Sequence, residues 1–336
     1  MRQAEFNGPG KCDIVEADDP KVADNYARIK IYSAPLCTEF KGFTGGRGKG
    51  TFGHEAAGEV VAIGDRVTHV GVGDRVVVMP QNGCGTCELC TAGDHIHCRS
   101  LRDPLQVCGS ETGIGRVAQY CIQQDWLLVR IPPELSFDYA VMACCGFGPA
   151  FNAMQAMNVT AGDTVLVSGL GPVGLGAVTI ALYRGARVLG LDMSGHRRKL
   201  ASGLGAQETF DPDEENVNTA IAAATGGVQF SVETSGARSA PQFLADVARP
   251  RGQIALIGWG GPIEARTIIG KGLDIHGCWH WNHQRDREGM LNTIAGSGKL
   301  IDKLITHTFP LSRIEDAMAL QISGLCGKVI VHPWDD

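Results

Sequence analysis

Four cysteines, Cys84, Cys87, Cys90 and Cys98, stand in the spacing C-x2-C-x2-C-x7-C. With Gly83, Gly85 and Gly93 letting the backbone turn around one centre, such a run has few ways to fold other than around a tetrahedral metal. The set suits a structural zinc, because four protein ligands leave no open position for water or substrate. The lobe 83–99 is therefore expected to hold a loop in shape, and any chemistry has to lie elsewhere. The chain has 12 cysteines, and its start, MRQAEFNGPG, shows neither an apolar core nor a cleavage pattern. Reduced thiols in the cytoplasm, grouped for metal, are the expectation rather than a disulfide frame. Cys12, Cys108, Cys121, Cys278 and Cys326 fit no ligand set and read as small buried apolar residues.

At 336 residues two domains are expected. A net charge of -6 and the absence of a basic run argue against a nucleic-acid partner. The uncharged stretch 164–183 has the length of a membrane span, but five glycines and prolines, Gly169, Gly171, Pro172, Gly174 and Gly176, punctuate it as strand, turn and helix, so no membrane partner is expected. Short β-rich runs at 28–32, 58–63 and 75–79, broken by glycine turns, predict a mostly β domain over 1–146. Apolar runs at 164–168, 186–191, 230–233 and 253–257 alternate with helical segments and predict a doubly wound parallel sheet, an α/β domain over 147–280. The remainder, 281–336, with a helix at 314–322 and a strand at 328–332, is too small to stand alone and is assigned to the first domain.

Gly169-Leu170-Gly171-Pro172-Val173-Gly174 is a G-x-G-x-x-G that follows a predicted strand and opens a predicted helix. The first glycine permits a tight turn, the second lets backbone approach a pyrophosphate, and the third lets helix and strand pack closely. Asp192 ends the next strand, 18 residues after Gly174. A carboxylate there accepts from a ribose diol and repels a 2′-phosphate, which selects NAD over NADP, with Arg197 able to rest beside the ribose.

A second group of zinc-ligand residues comprises Cys37, Gly53-His54-Glu55 and Cys144-Cys145. The run Gly53-His54-Glu55-Ala56-Ala57-Gly58, with Gly64 and Val67, resembles the signature of the zinc-containing medium-chain alcohol dehydrogenases, the family of the sorbitol, polyol and threonine dehydrogenases. The cysteine quartet and the fingerprint agree in order and spacing, and the resemblance extends over essentially the whole chain to Gly327-Lys328-Val329-Ile330-Val331. It implies a GroES-like catalytic domain beside a Rossmann domain, meeting at an active-site cleft, with two Zn2+ per subunit, one catalytic and one structural. It further implies that Cys37, His54 and Cys145 ligate the catalytic zinc, with Cys144 as runner-up, and that Glu55 stands behind them. Three protein ligands leave a fourth position for an alcohol oxygen, which loses its proton there, and the hydride on the carbon that bears this oxygen passes to NAD. Here the chain departs from the family, which has Cys-x-Ser/Thr-Asp and then a histidine. In Cys37-Thr38-Glu39-Phe40-Lys41, a deletion after Cys37 makes Thr38 the proton-relay hydroxyl, Glu39 the acid and Lys41 the histidine's replacement. Without the deletion Glu39 takes the relay position. Thr38 is preferred.

In the family, the segments holding Trp259 and Trp279-His280-Trp281-Asn282-His283 line the substrate pocket. Indole faces beside polar donors suit a polyol, cyclitol or sugar, with tryptophans packed away from substrate as the alternative. An amino alcohol such as threonine, or a simple secondary alcohol, is the rival substrate, and a non-catalytic binding relative is the rival class. Members with a cysteine lobe imply a homo-oligomer, dimer or tetramer. Gly45-Gly46-Arg47-Gly48-Lys49 reads as a solvated loop able to offer two cations.

Overall fold

The computed structural model describes residues 1–45 and 50–335, so 46–49 of the glycine-rich cationic run lie outside the described residues. Two compact units divide the chain, one of Met1–Cys145, Asn282–Ala295 and Ile305–Asp336, the other of Gly146–Trp281 and Gly296–Leu304.

Strands are numbered in chain order. The first unit holds β1 (Arg2–Phe6), β2 (Cys12–Glu16), β3 (Tyr26–Pro35), β4 (Gly50–Thr51), β5 (Ala56–Ile63), β6 (Arg75–Val78), β7 (Tyr120–Gln124) and β8 (Leu128–Arg130). The second holds β9 (Thr164–Ser168), β10 (Arg187–Leu191), β11 (Glu208–Phe210), β12 (Val228–Glu233), β13 (Ala248–Leu256) and β14 (Asp274–Gly277); β15 (Ile305–Pro310) and β16 (Lys328–His332) return to the first.

In the first unit the order is β15-β16-β3-β5-β6-β8, with β7 also on β3, and a smaller sheet runs β2-β1-β4. β3 is long because Ala27, Ile29 and Ile31 alternate inward, and its far end, Ala34 and Pro35, pairs with β16. Their apolar faces share a core with Leu36, Val60, Val76, Val78, Val329 and Val331. This joins the chain's end to its beginning at the segment that carries Cys37.

The second unit has six parallel strands in the order β11-β10-β9-β12-β13-β14, the 3-2-1-4-5-6 arrangement of a doubly wound sheet. Its strands read as continuous apolar runs because both faces are covered, and the strand order reverses between β9 and β12. The stretch with the length of a membrane span is β9, a glycine turn and the helix Pro172–Tyr183; among the described residues no helix is long and apolar enough to cross a membrane. One segment sits differently from the expected division. Gly296–Leu304 groups with the second unit, because the helix Gly298–Leu304 packs on Pro172–Tyr183 and Gly195–Leu204, burying Ile301 and Leu304.

Candidate active site and metal centres

Cys37, His54, Glu55 and Cys145 are brought together with their ligand atoms all within 4.8 Å of one another. Cys37 lies just beyond β3, His54 and Glu55 immediately before β5, and Cys145 just past the short turn Val141–Ala143. His54 Nε2 stands 3.3 Å from Cys145 Sγ. A nitrogen and a sulfur sharing one tetrahedral zinc stand about 3.5 Å apart, so this donor set fits the metal. Cys144, the runner-up, is buried and turned away, its thiol donating to the Val78 carbonyl at 3.4 Å.

The supporting groups explain the orientation. Glu39, in the first turn of the helix Glu39–Gly45, is buried, with Oε1 at 2.7 Å from His54 Nδ1 and Oε2 accepting from the Cys37 amide at 2.5 Å. A histidine whose Nδ1 is held by a carboxylate presents Nε2 to a metal. With both oxygens of Glu39 committed, Thr38 is left as the exposed hydroxyl beside Cys37, and Lys41 is exposed on the same helix. Glu55 is fully buried; Oε2 accepts from the Cys145 amide at 3.1 Å and Oε1 pairs with Lys328 Nζ at 2.8 Å. Gln321, from the helix Ile314–Ser323, donates to the Cys37 carbonyl at 2.5 Å. Sequence reasoning missed both Lys328 and Gln321. A lysine opening an otherwise apolar strand was the one available signal.

Charges at the cluster follow from these contacts. The hydrogen bond from Cys145 holds the Cys37 thiol well below the usual thiol range, with Lys328 and His54 acting the same way. Burial pushes Glu55 up to about 7 against the pull of Lys328. Burial also opposes a charged His54, yet hydrogen bonds to Cys37 and Glu39 raise it to about 11.

The cysteine quartet also converges. Cys84 and Cys90 sulfurs lie 4.0 Å apart, and Cys87 and Cys98 sulfurs 3.9 Å apart. Four sulfurs about 2.3 Å from one zinc stand about 3.8 Å from each other, so the set fits a closed tetrahedral site. Backbone amides support the thiolates: Cys87 donates to Cys84 Sγ, and Cys84 and Ser100 both donate to Cys98 Sγ. Hydrogen bonds from Thr86, backbone first, and then from Cys87 lower the Cys84 thiol to about 6. Cys12, Cys108, Cys121, Cys278 and Cys326, like Cys144, are buried outside the two sets.

In the second unit Gly169, with φ +85°, makes the turn between β9 and the helix Pro172–Tyr183, and a Cβ there would stand 2.6 Å from the Ser235 nitrogen. At Gly174 a Cβ would fall on the Gly169 carbonyl. Gly171 differs, since a Cβ would meet nothing within 4 Å, and this open side beside a helix N-terminus that Pro172 and Val173 begin fits a pyrophosphate. Asp192 follows β10, with Oδ2 accepting from Leu170 N at 2.7 Å and Oδ1 from Ser194 N at 2.8 Å. Arg197 lies beside it at 3.8 Å, whereas Arg198 turns to the Asp192 carbonyl and the Asp211 carboxylate.

Of the three tryptophans, Trp259 follows β13 and Trp279 follows β14; they are 85% and 48% exposed and meet edge to face, centroids 5.8 Å apart. Trp281 is 2% exposed, one of the largest fully buried side chains.

Comparison with known proteins agrees with this geometry. Residues 23–133 match the alcohol dehydrogenase GroES-like domain and residues 172–296 the zinc-binding dehydrogenase domain. An L-threonine 3-dehydrogenase of Paraburkholderia phytofirmans is 32% identical over 83% of this chain and 81% of its own length. An uncharacterized zinc-type alcohol dehydrogenase-like protein of Escherichia coli K12 is 29% identical over 99% of this chain and 98% of its own. Among solved structures, an alcohol dehydrogenase of Escherichia coli CFT073 in complex with NADH is 25% identical, with TM-score 0.86 over 99% of both chains. Two zinc-fitting clusters, a dinucleotide fingerprint on a doubly wound sheet and these relatives lead to one assignment: the chain belongs to the zinc-type alcohol dehydrogenase family, NAD-dependent oxidoreductases acting on CH-OH groups.

Proposed function

We propose that this protein oxidises a secondary alcohol of a polyhydroxylated substrate, a polyol, cyclitol or sugar, to the ketone. The observation that carries the substrate class is the exposed edge-to-face pair Trp259 and Trp279. With an adenosine ribose at Asp192 after β10 and a pyrophosphate at the turn after β9, the strand order supports a nicotinamide half toward the carboxyl ends of β12, β13 and β14, where this pair stands. Two indoles at right angles give a sugar ring an apolar platform.

In this reading Cys37, His54 Nε2 and Cys145 hold the catalytic zinc. When bound, zinc supplies a Lewis acid at its open position and NAD the hydride acceptor. Glu39 keeps His54 in the ligating tautomer and, through the Cys37 amide, fixes the thiolate beside it. Glu55, neutralised by Lys328, holds the Cys145 amide. Thr38 hands the alcohol proton toward solvent, since Glu39 is spent on His54. The thiolate clusters require reduced cysteines, which supports a cytoplasmic location that cell fractionation would test.

A second reading, a threonine-like amino alcohol, is favoured by similarity to proteins named L-threonine 3-dehydrogenase. NADH formation from polyols, cyclitols, sugars, simple alcohols and threonine, with NAD and NADP in parallel, separates the two. Trp259→Ala and Trp279→Ala are expected to raise the polyol KM roughly three- to tenfold at little cost to kcat. Turnover of threonine alone would remove the carbohydrate reading and leave the reaction type in place.

A further inference from the structure

Glu233, the last residue of β12, is fully buried. Its Oε1 accepts three hydrogen bonds from the turn that follows: Ser235 N at 2.7 Å, Ser235 Oγ at 2.5 Å and Gly236 N at 3.0 Å. Consecutive amides ending at a glycine with φ +67° form a concavity that binds an anion, and here the chain fills it with its own side chain. Among the described residues Oε2 has no hydrogen-bond partner, and it lies against Gly258, where a Cβ would collide with it. The Glu233 carbonyl meanwhile accepts from the Ile257 and Gly258 amides at 2.9 Å each.

Both segments fastened in this way border the cofactor site. Thr234 Oγ1 donates to the Gly169 carbonyl at 2.7 Å, and Ser235 backbone closes on Gly169, so the turn after β12 rests on the fingerprint turn. Gly258 precedes Trp259 and is next to Gly236. A buried carboxylate is a costly way to stabilise a fold, since one oxygen is left unsatisfied, whereas it is an effective way to fix two loops in one arrangement.

We propose that Glu233 is a positioning residue for the nicotinamide half of NAD: it locks the turns after β12 and β13 against the fingerprint turn, and Gly258 is kept without a side chain to make room for it. The proposal rests on the reading that NAD lies along the carboxyl edge of the parallel sheet. The test compares calorimetric binding of NADH with that of ADP-ribose, which lacks the nicotinamide, on the zinc-loaded full chain. Glu233→Ala should weaken NADH about tenfold or more while ADP-ribose changes less than about threefold. Glu233→Gln, whose amide oxygen can accept the same three bonds, should stay within about threefold for both. Gly258→Ala should reproduce the Glu233→Ala pattern. Equal weakening of both ligands would mean general loosening and overturn the proposal, as would unchanged NADH binding in Glu233→Ala or Gly258→Ala. Asp192→Ala should weaken both ligands; if it weakens neither, the placement of NAD fails and takes the proposal with it.

Discussion

At His54 a neighbour sets the orientation of the ring: Glu39 takes Nδ1, which leaves Nε2 facing Cys145. The pattern around His54 marked the histidine as a candidate ligand, but which of two adjacent cysteines joins the cluster depends on a backbone turn that spacing does not describe. That turn sends Cys144 to the Val78 carbonyl and Cys145 to the cluster. Cys145→Ser is accordingly expected to lower bound zinc from two ions to one per chain, and Cys144→Ser to leave both, as read by atomic absorption. Lys328 was illegible as part of the site because its partner Glu55 is 273 residues away in sequence. Both side chains are fully buried, so Lys328→Met leaves an uncompensated carboxylate and is expected to cost about 3–5 kcal/mol in denaturant unfolding, part of it recovered in the Glu55→Gln, Lys328→Met double variant. A loss below about 1 kcal/mol would show that Glu55 is neutral without its partner.

β16 carries contacts at both of its ends. Lys328 begins it, and His332 closes it with Nε2 at 3.0 Å from Asp138 and Nδ1 at 3.1 Å from Asp335. Asp138 lies in the helix Phe137–Ala140, just upstream of Cys145. The hydrogen bond to Asp138 raises the His332 pKa, the charges of Asp138 and Asp335 add to it, and burial opposes it. A histidine with a raised folded pKa contributes stability that is complete below its unfolded value of about 6.5 and is lost as pH rises through the folded value. The Tm gap between the wild type and His332→Asn should therefore be widest in acid and close as pH rises; partial exposure keeps it small. A gap constant with pH would exclude this role. Elements themselves were largely legible, because β9, the glycine turn and the following helix are contiguous and each residue type has a local reason for its place. The burial of Trp281 was not legible, because local pattern says that an aromatic follows a strand and not what packs over it.

At the largest scale the cysteine lobe holds more than its metal. Asn282 donates to the Ala92 carbonyl at 2.7 Å and to Asp94 Oδ1 at 2.9 Å, His283 N donates to the Gly93 carbonyl, and Gln284 Nε2 to the Thr91 carbonyl. The loop between Cys90 and Cys98 is thus a clasp for a segment 190 residues further along. Cys84→Ser, which opens the metal site, is expected to speed amide hydrogen exchange over 282–286 as well as over 91–94. Unchanged exchange at 282–286 would show that the clasp stands without the metal. By itself the sequence determined the cysteine quartet, the cofactor turn and the alternation that makes a parallel sheet, because each depends on residues close together whose chemistry and spacing are sufficient, whereas Cys37, His54 and Cys145 lie far apart in the chain and are gathered by the fold. Only the tertiary structure decided what lies behind them: Glu39 on His54, Lys328 on Glu55, Glu233 between two turns, Asn282 on the lobe, and the burial of Trp281. Those contacts join residues that chain folding, rather than local propensity, brings within hydrogen-bond distance.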